Sequence, residues 1–295
     1  MVGDRITRLL RGLLAPAVLT AVAHAEAASD DHARVDKSAF HLFNPTPSQY
    51  LRPMDTDGPG ATESPYTVDA GHFQIEMTFL AYAADRESFE GEPYELEAAA
   101  ILPMILKVGL FNRVDLQLVL EPYNVVRERL GANEVTSRGF GDTTLRLKYN
   151  LWGNDSGLTA FAVMPYVKFP TSKEGLGDNS LEGGLILPLS ATLPGEFWLG
   201  LTTRFDVARD QTENGYHAEF NNSIALGHDL FGNLFGYVEF FSAVSTERDT
   251  PWVGAFNTGL IYSVTDNMQL NTGVNIGVTR SANDWTPFVG MAWRF

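Results

Sequence analysis

From His72 to the C-terminus the chain repeats one pattern, runs of roughly 10 to 14 residues in which apolar side chains alternate with polar ones at period two. A period of two puts successive side chains on opposite faces of a β-strand. The spacing predicts about twelve strands, over 72–82, 97–110, 114–123, 139–152, 158–169, 181–193, 197–208, 216–228, 233–243, 252–264, 268–278 and 285–295. In 139–152, Leu145, Leu147, Tyr149 and Leu151 interleave with Thr144, Arg146, Lys148 and Asn150. When each register is set by its apolar residues, the charged residues within the spans take the other face: Glu76, Glu97, Lys107, Asp115, Glu121, Asp142, Arg146, Lys148, Lys168, Glu182, Arg204, Asp206, Glu219, Glu239 and Arg294. One face of this sheet is greasy and the other is ionic.

Alternation alone fits a soluble sandwich as well as a membrane barrel. The connections separate the two, because links after even-numbered segments are short, such as Phe111-Asn112-Arg113 and Thr265-Asp266-Asn267, while 124–138 and 170–180 are long. Tight turns on one side and long loops on the other mark an up-and-down barrel. A tilted strand needs about 9 to 11 residues to cross a bilayer, whereas strands of globular proteins average about five or six. Outward aromatics near the strand ends, among them Phe73, Phe79, Tyr149, Phe197, Phe205, Trp252, Tyr262, Trp285 and Trp293, fit an interfacial girdle. Open edges in hydrocarbon would strand backbone N–H and C=O groups at several kcal/mol each, so such a sheet must close. The expected fold is therefore all-β, a transmembrane up-and-down antiparallel β-barrel of about twelve strands over 72–295.

Two segments precede the barrel. Arg5, Arg8 and Arg11, the apolar run 13–23 and Ala23-His24-Ala25 read as a secretory signal peptide over 1–25, cleaved after Ala25 and directing the chain to the outer membrane of a Gram-negative cell. Residues 26–71 show no sustained period and read as irregular structure. This segment is either a periplasmic tail or a plug folded into the lumen, with Asp55, Asp57 and Glu63 as candidates to dock on basic lumen residues. The formal charge of −15 argues against a nucleic-acid partner, since phosphate binding relies on Lys and Arg. With no Cys, thiolate metal sites and Cys nucleophiles are excluded.

The last strand carries Trp285, Pro287, Val289, Met291, Trp293 and Phe295 on one face, and its terminal Phe resembles the signal read by the outer-membrane barrel assembly machinery. Thr56-Asp57-Gly58-Pro59-Gly60-Ala61-Thr62-Glu63-Ser64-Pro65-Tyr66 running on to Phe73-Gln74 resembles the opening of the "transporter" family named for the MetA pathway of phenol degradation. Gly139-Phe140-Gly141-Asp142-Thr143-Thr144, Pro165-Tyr166-Val167-Lys168-Phe169-Pro170-Thr171 and Glu182-Gly183-Gly184-Leu185-Ile186 resemble its internal motifs. Gly58 departs from the polar residue the family often carries there. The resemblance implies an outer-membrane barrel and hints at passage of small aromatic compounds.

The lumen-lining candidates are Lys107, Arg146, Lys148, Tyr166, Lys168, Glu182, Trp198, Arg204, Asp206, His217, Glu219, Tyr237 and Glu239. Such a mixed lining either neutralises itself across the lumen or sorts solutes by charge. His217, Glu219 and Asn221 share the inward face, but no Ser follows His217 at the spacing of an outer-membrane phospholipase, so no residue is assigned to catalysis. No cofactor or metal is called for. The reading is a passive channel or transporter for small hydrophobic or aromatic compounds, with outer-membrane lipid, the solute and the assembly machinery as partners. A lipid-modifying barrel enzyme and a structural barrel with a filled lumen are the alternatives.

Overall fold

The computed structural model describes residues 36–295 apart from Pro59, Glu90, Glu174, Gly175, Asp178 and 211–214. The expected signal peptide lies outside the described residues. The alternation yields β1 (Phe73–Phe89), β2 (Glu92–Ile101), β3 (Met104–Phe111), β4 (Val114–Leu120), β5 (Tyr123–Leu130), β6 (Asn133–Gly139), β7 (Thr143–Trp152) and β8 (Thr159–Phe169). It continues with β9 (Glu182–Thr192), β10 (Trp198–Arg209), β11 (Tyr216–Phe231), β12 (Leu234–Ser245), β13 (Val253–Thr265), β14 (Met268–Gly277) and β15 (Trp285–Arg294). All pair antiparallel, and β15 returns to β1 with Gln74 opposite Arg294 and Ala84 opposite Trp285. Phe73 and Phe295 exchange backbone hydrogen bonds at 3.0 and 2.9 Å, so the terminal residue completes the seam. The result is a closed twelve-stranded barrel, because β2 with β3, β4 with β5 and β6 with β7 each make one interrupted stave.

The interruptions fall side by side at Leu102-Pro103, Glu121-Pro122 and 140–142, and β1 shifts register beside them between Thr78 and Leu80. Two of the three carry a proline, which has no N–H to give the ladder, and Leu102 turns to φ 59°. This crease inverts side-chain parity. Below it Ile105, Lys107, Asp115 and Gln117 face inward; above it Tyr94, Leu96, Ala98 and Val126 do. Above the crease β2, β5 and β6 continue the wall past its junction with β15, and Leu176, from the loop after β8, completes the apolar cluster of Tyr94, Leu96, Ala98 and Val126.

Two expectations are corrected here. Glu97 does not face the lumen: the parity switch at Leu102 turns it outward, where it pairs with Arg127 across β2 and β5, both side chains more than 40% exposed. The segment 124–138 is not a long loop but β5 and β6 joined at Gly131-Ala132. Its period two was masked because charges occupy both faces, Arg127 and Arg129 on one and Glu128 on the other. The outward ionic set of Glu95, Glu97, Arg127, Arg129 and Glu134 also fixes where hydrocarbon must end, since such pairs belong in water.

Below that level the outer surface is apolar, with Leu145, Leu147, Leu201, Phe205, Ile224 and Leu226 exposed and aromatics at both rims. Leu147→Arg, at the middle of β7, is expected to cost about 2–4 kcal/mol of folding free energy in lipid vesicles, whereas Arg129→Leu should change it by less than about 0.5 kcal/mol. Equilibrium urea unfolding of the two variants in vesicles checks both values.

Candidate functional site: the lumen and its N-terminal insert

The segment before β1 enters the barrel from the rim that holds the short turns and both ends of the sheet. Its outgoing leg starts beside the β3–β4 turn, where Leu42 N donates to Leu110 O at 2.9 Å. It rises past Arg52 and Met54 to an apex around Asp57–Glu63. The return leg descends through Tyr66 and Val68 to Gly71, whose N donates to Gly109 O at 2.8 Å, and runs directly into β1. Gly109 permits this docking, because a Cβ there would lie 2.1 Å from Asp69 O.

Two carboxylates with no solvent exposure fix the insert. Asp57 lies between Lys107 Nζ and Lys148 Nζ, both at 2.5 Å, and accepts from Gln117 Nε2 at 2.7 Å. Burial opposes its charge, but the two ammonium groups outweigh burial and hold the carboxyl well below the usual carboxylate range. Asp69 sits among Lys37 (3.4 Å), Arg52 (3.2 Å) and Arg294 (3.6 Å) at the base. Between them Gly58 N donates to Glu76 (2.7 Å), Ala61 N and Thr62 N donate to Glu239 (3.0 and 2.7 Å), and Glu63 pairs with Arg146 at 3.1 Å.

The expected residues thus divide into two groups. Lys107, Arg146, Lys148 and Glu239 hold the apex through Asp57, Glu63 and the backbone. Asp55 does not dock on the basic set; it stays inside the segment, accepting from Ser64 Oγ at 2.9 Å and Thr56 N at 2.8 Å. The others pair along the wall: Lys168 with Glu182 at 2.5 Å, Arg204 with Asp206 at 2.8 Å, and Tyr166 Oη with Asp206 through a short hydrogen bond. Both ring nitrogens of His217 face carboxylates, Asp210 and Glu219, each at 3.0 Å. Trp198 and Tyr237 pack with Ala225, Phe235 and Ile261 in an inward aromatic cluster, and Thr62 lies close beside Trp198.

Beside the apex lies a cavity of about 170 Å³, bounded by β1–β5 and β12–β15. Met77, Ala81, Met104, Ile105, Val119, Phe241, Val253, Ala255, Phe288 and Met291 make its apolar wall, and Pro103, Glu121 and Asn124 of the crease border it. Its charged lining groups among the described residues are Glu76 and Glu121. Asn257, Asn271 and Asn275 also line it, and the Oδ1 of each is buried without a hydrogen-bond partner among the described residues. Leaving such a group unmatched costs about 1–3 kcal/mol. These asparagines and Asp69 were not singled out from sequence, although their inward parity on β13 and β14 was readable.

Among known proteins, residues 56–295 match the model of the family described as "Putative MetA-pathway of phenol degradation". The outer membrane channel of the COG4313 group from Pseudomonas putida F1 is similar in structure, with TM-score 0.54 at 14% identity over 76% of this chain and 93% of that one. The translocator domain of the autotransporter NalP from Neisseria meningitidis gives 0.48 at 10% identity over 76% and 88%. The CymD monoaromatic hydrocarbon channel gives 0.42 at 8% over 76% and 87%. A search of curated proteins found no match.

Asp57→Ala would leave two buried ammonium groups without their carboxylate. It is expected to weaken apex docking by about 3–5 kcal/mol, seen as faster hydrogen exchange over 55–68 with the barrel strands still protected. The pH dependence has two arms. Burial pushes the Asp55 carboxyl up to about 7, so the docked apex retains a proton that a solvated Asp releases near 4; docking therefore weakens as pH rises from about 4 through about 7. Asp57, held low, acts oppositely, and its contribution is lost only as pH falls below about 4. Exchange over 55–64, corrected for intrinsic rate, should be faster at pH 8 than at pH 6.

Proposed function

This chain belongs to the family of the MetA pathway of phenol degradation, and from that premise we propose that it is a passive outer-membrane channel for small, neutral, apolar or aromatic solutes. The observation that carries the reading is the cavity: an apolar chamber inside a lumen whose cations Lys107, Arg146, Lys148 and Arg204 are each already paired with a carboxylate. A water-filled ion pore has no use for a methionine- and phenylalanine-lined chamber, whereas an apolar solute gains by leaving water for one. A volume of about 170 Å³ is of the size that takes a single aromatic ring, since an engineered apolar cavity of about 150 Å³ binds benzene.

In this reading residues 52–70 are the gate. The apex interactions span the lumen from Lys107 and Lys148 to Glu239, so solute passes when the apex shifts and the ionic groups exchange partners. The lumen supplies no energy source, and flux follows the concentration gradient.

A crosslink tests the gate directly, because the chain has no native cysteine. Thr62 Oγ1 and Ser223 Oγ lie 2.8 Å apart, so the pair Thr62→Cys with Ser223→Cys places two thiols within reach of a disulfide. Oxidation is expected to reduce both bilayer conductance and cellular uptake of toluene at least tenfold, with recovery on reduction. Uptake that ignores the crosslink would exclude the insert as the gate, and a deletion strain taking up toluene as fast as its parent would exclude the channel.

A further inference from the structure

Away from the chamber, three segments bring unlike metal ligands together at the rim of the long connections. β10 leaves the short connection 193–197, so Asp210 just past its end, His217 near the start of β11 and Glu247 just past the end of β12 all stand at the opposite rim. One ligand atom of each lies within 4.8 Å of those of the other two. Backbone pairing fixes this meeting. Thr246 N donates to Ala218 O at 2.9 Å and Ala218 N donates to Thr246 Oγ1 at 3.0 Å, which clamps the chain just before Glu247 against the residue between His217 and Glu219. Glu247 N then donates to Ser245 Oγ at 3.1 Å. On the other side, the β10–β11 ladder sets Ala208 opposite His217, two residues before Asp210.

Carboxylates alone at a rim would be an ordinary solvated surface; a buried imidazole among them is not. His217 is 8% exposed, with Nδ1 facing Asp210 Oδ1 and Nε2 facing Glu219 Oε1, each at 3.0 Å. A ligating histidine is oriented in this way, one nitrogen on the ion and the other N–H given to a carboxylate. We propose that His217 Nδ1, Asp210 and Glu247 bind one divalent transition cation of the Zn²⁺ class, with Glu219 orienting the imidazole. Two ligand atoms about 2.0–2.2 Å from a tetrahedral ion stand about 3.3 Å apart, close to the spacing already present between His217 and Asp210. The donor set decides the class. Ca²⁺ takes about six to eight oxygens and Mg²⁺ an octahedral oxygen shell, whereas one imidazole with two carboxylates and water suits Zn²⁺. Arg209 lies over the ring of its ladder partner Tyr216, 5.6 Å from the centroid, on the strand face opposite His217. The bound ion joins the β10–β11 connection to the segment after β12, and the site does not depend on the channel reading.

The test is equilibrium dialysis of the untagged full-length barrel in detergent, stripped with EDTA, against Zn²⁺, with bound metal read by mass spectrometry and Ca²⁺ and Mg²⁺ as comparison ions. The expected result is one Zn²⁺ per chain that equal concentrations of Ca²⁺ or Mg²⁺ do not displace and that His217→Gln loses. Glu219→Gln, which changes only the group behind the ring, should keep the stoichiometry and weaken binding about tenfold or more. In the native protein Zn²⁺ should slow amide exchange over 208–210, 216–219 and 245–248. No saturable binding below about 100 µM Zn²⁺, tighter binding of Ca²⁺, or Zn²⁺ that His217→Gln retains would overturn the site. If that variant does not fold, Asp210→Asn takes its place, and exchange in the native protein decides in any case: slowing confined to other segments overturns the site. Solute uptake is no part of this readout, so the metal site and the channel stand or fall separately.

Discussion

The lumen is organised around one carboxylate that water does not reach. Asp57 has two lysines at 2.5 Å, one on β3 and one on β7, and the amide of Gln117 on the strand between them. Two buried ammonium groups on either side of one stave would repel each other without it, and a lone buried carboxylate would be equally unfavourable. The insert and the wall therefore stabilise each other: the barrel supplies the cations and the N-terminal segment supplies the anion. At the base Asp69 gathers Lys37 and Arg52 of its own segment together with Arg294 of β15. These contacts hold the apex in place beside an apolar chamber.

Most of the wall was legible in the sequence because a membrane imposes its pattern on every strand. β8 to β15 fall within a few residues of their expected positions, and Lys107, Arg146, Lys148 and Glu239 face inward as their parity requires. The exceptions cluster above the crease. Period-two reasoning assumes an unbroken strand, and a single residue at φ 59° followed by proline resets the count, so Glu97 changed sides. β5 and β6 were hidden for a related reason: charges stand on both faces of β5, and Val126 and Leu130 are too few to restore a readable hydrophobic alternation.

The insert was the least legible part. Asp55, Asp57 and Glu63 look alike in sequence, yet Asp57 takes two lysines, Glu63 one arginine, and Asp55 only a serine and a backbone amide of its own segment. What separates them is three-dimensional register against a wall that local sequence does not describe. The chamber was illegible for another reason. Its walls come from nine strands, and what distinguishes Asn257 from other inward asparagines is a neighbour on β12, Glu239, that fixes which of its two amide atoms faces that carboxylate.

The insert is anchored at both feet, one stitched to the β3–β4 turn at Leu110 and the other continuous with β1. A tether with two fixed ends cannot be shed like a cork. While both feet hold, its bulk stays within the ring, and the aperture is the barrel's cross-section less the thickness of two peptide chains. That obstruction narrows the lumen over the whole height of the insert.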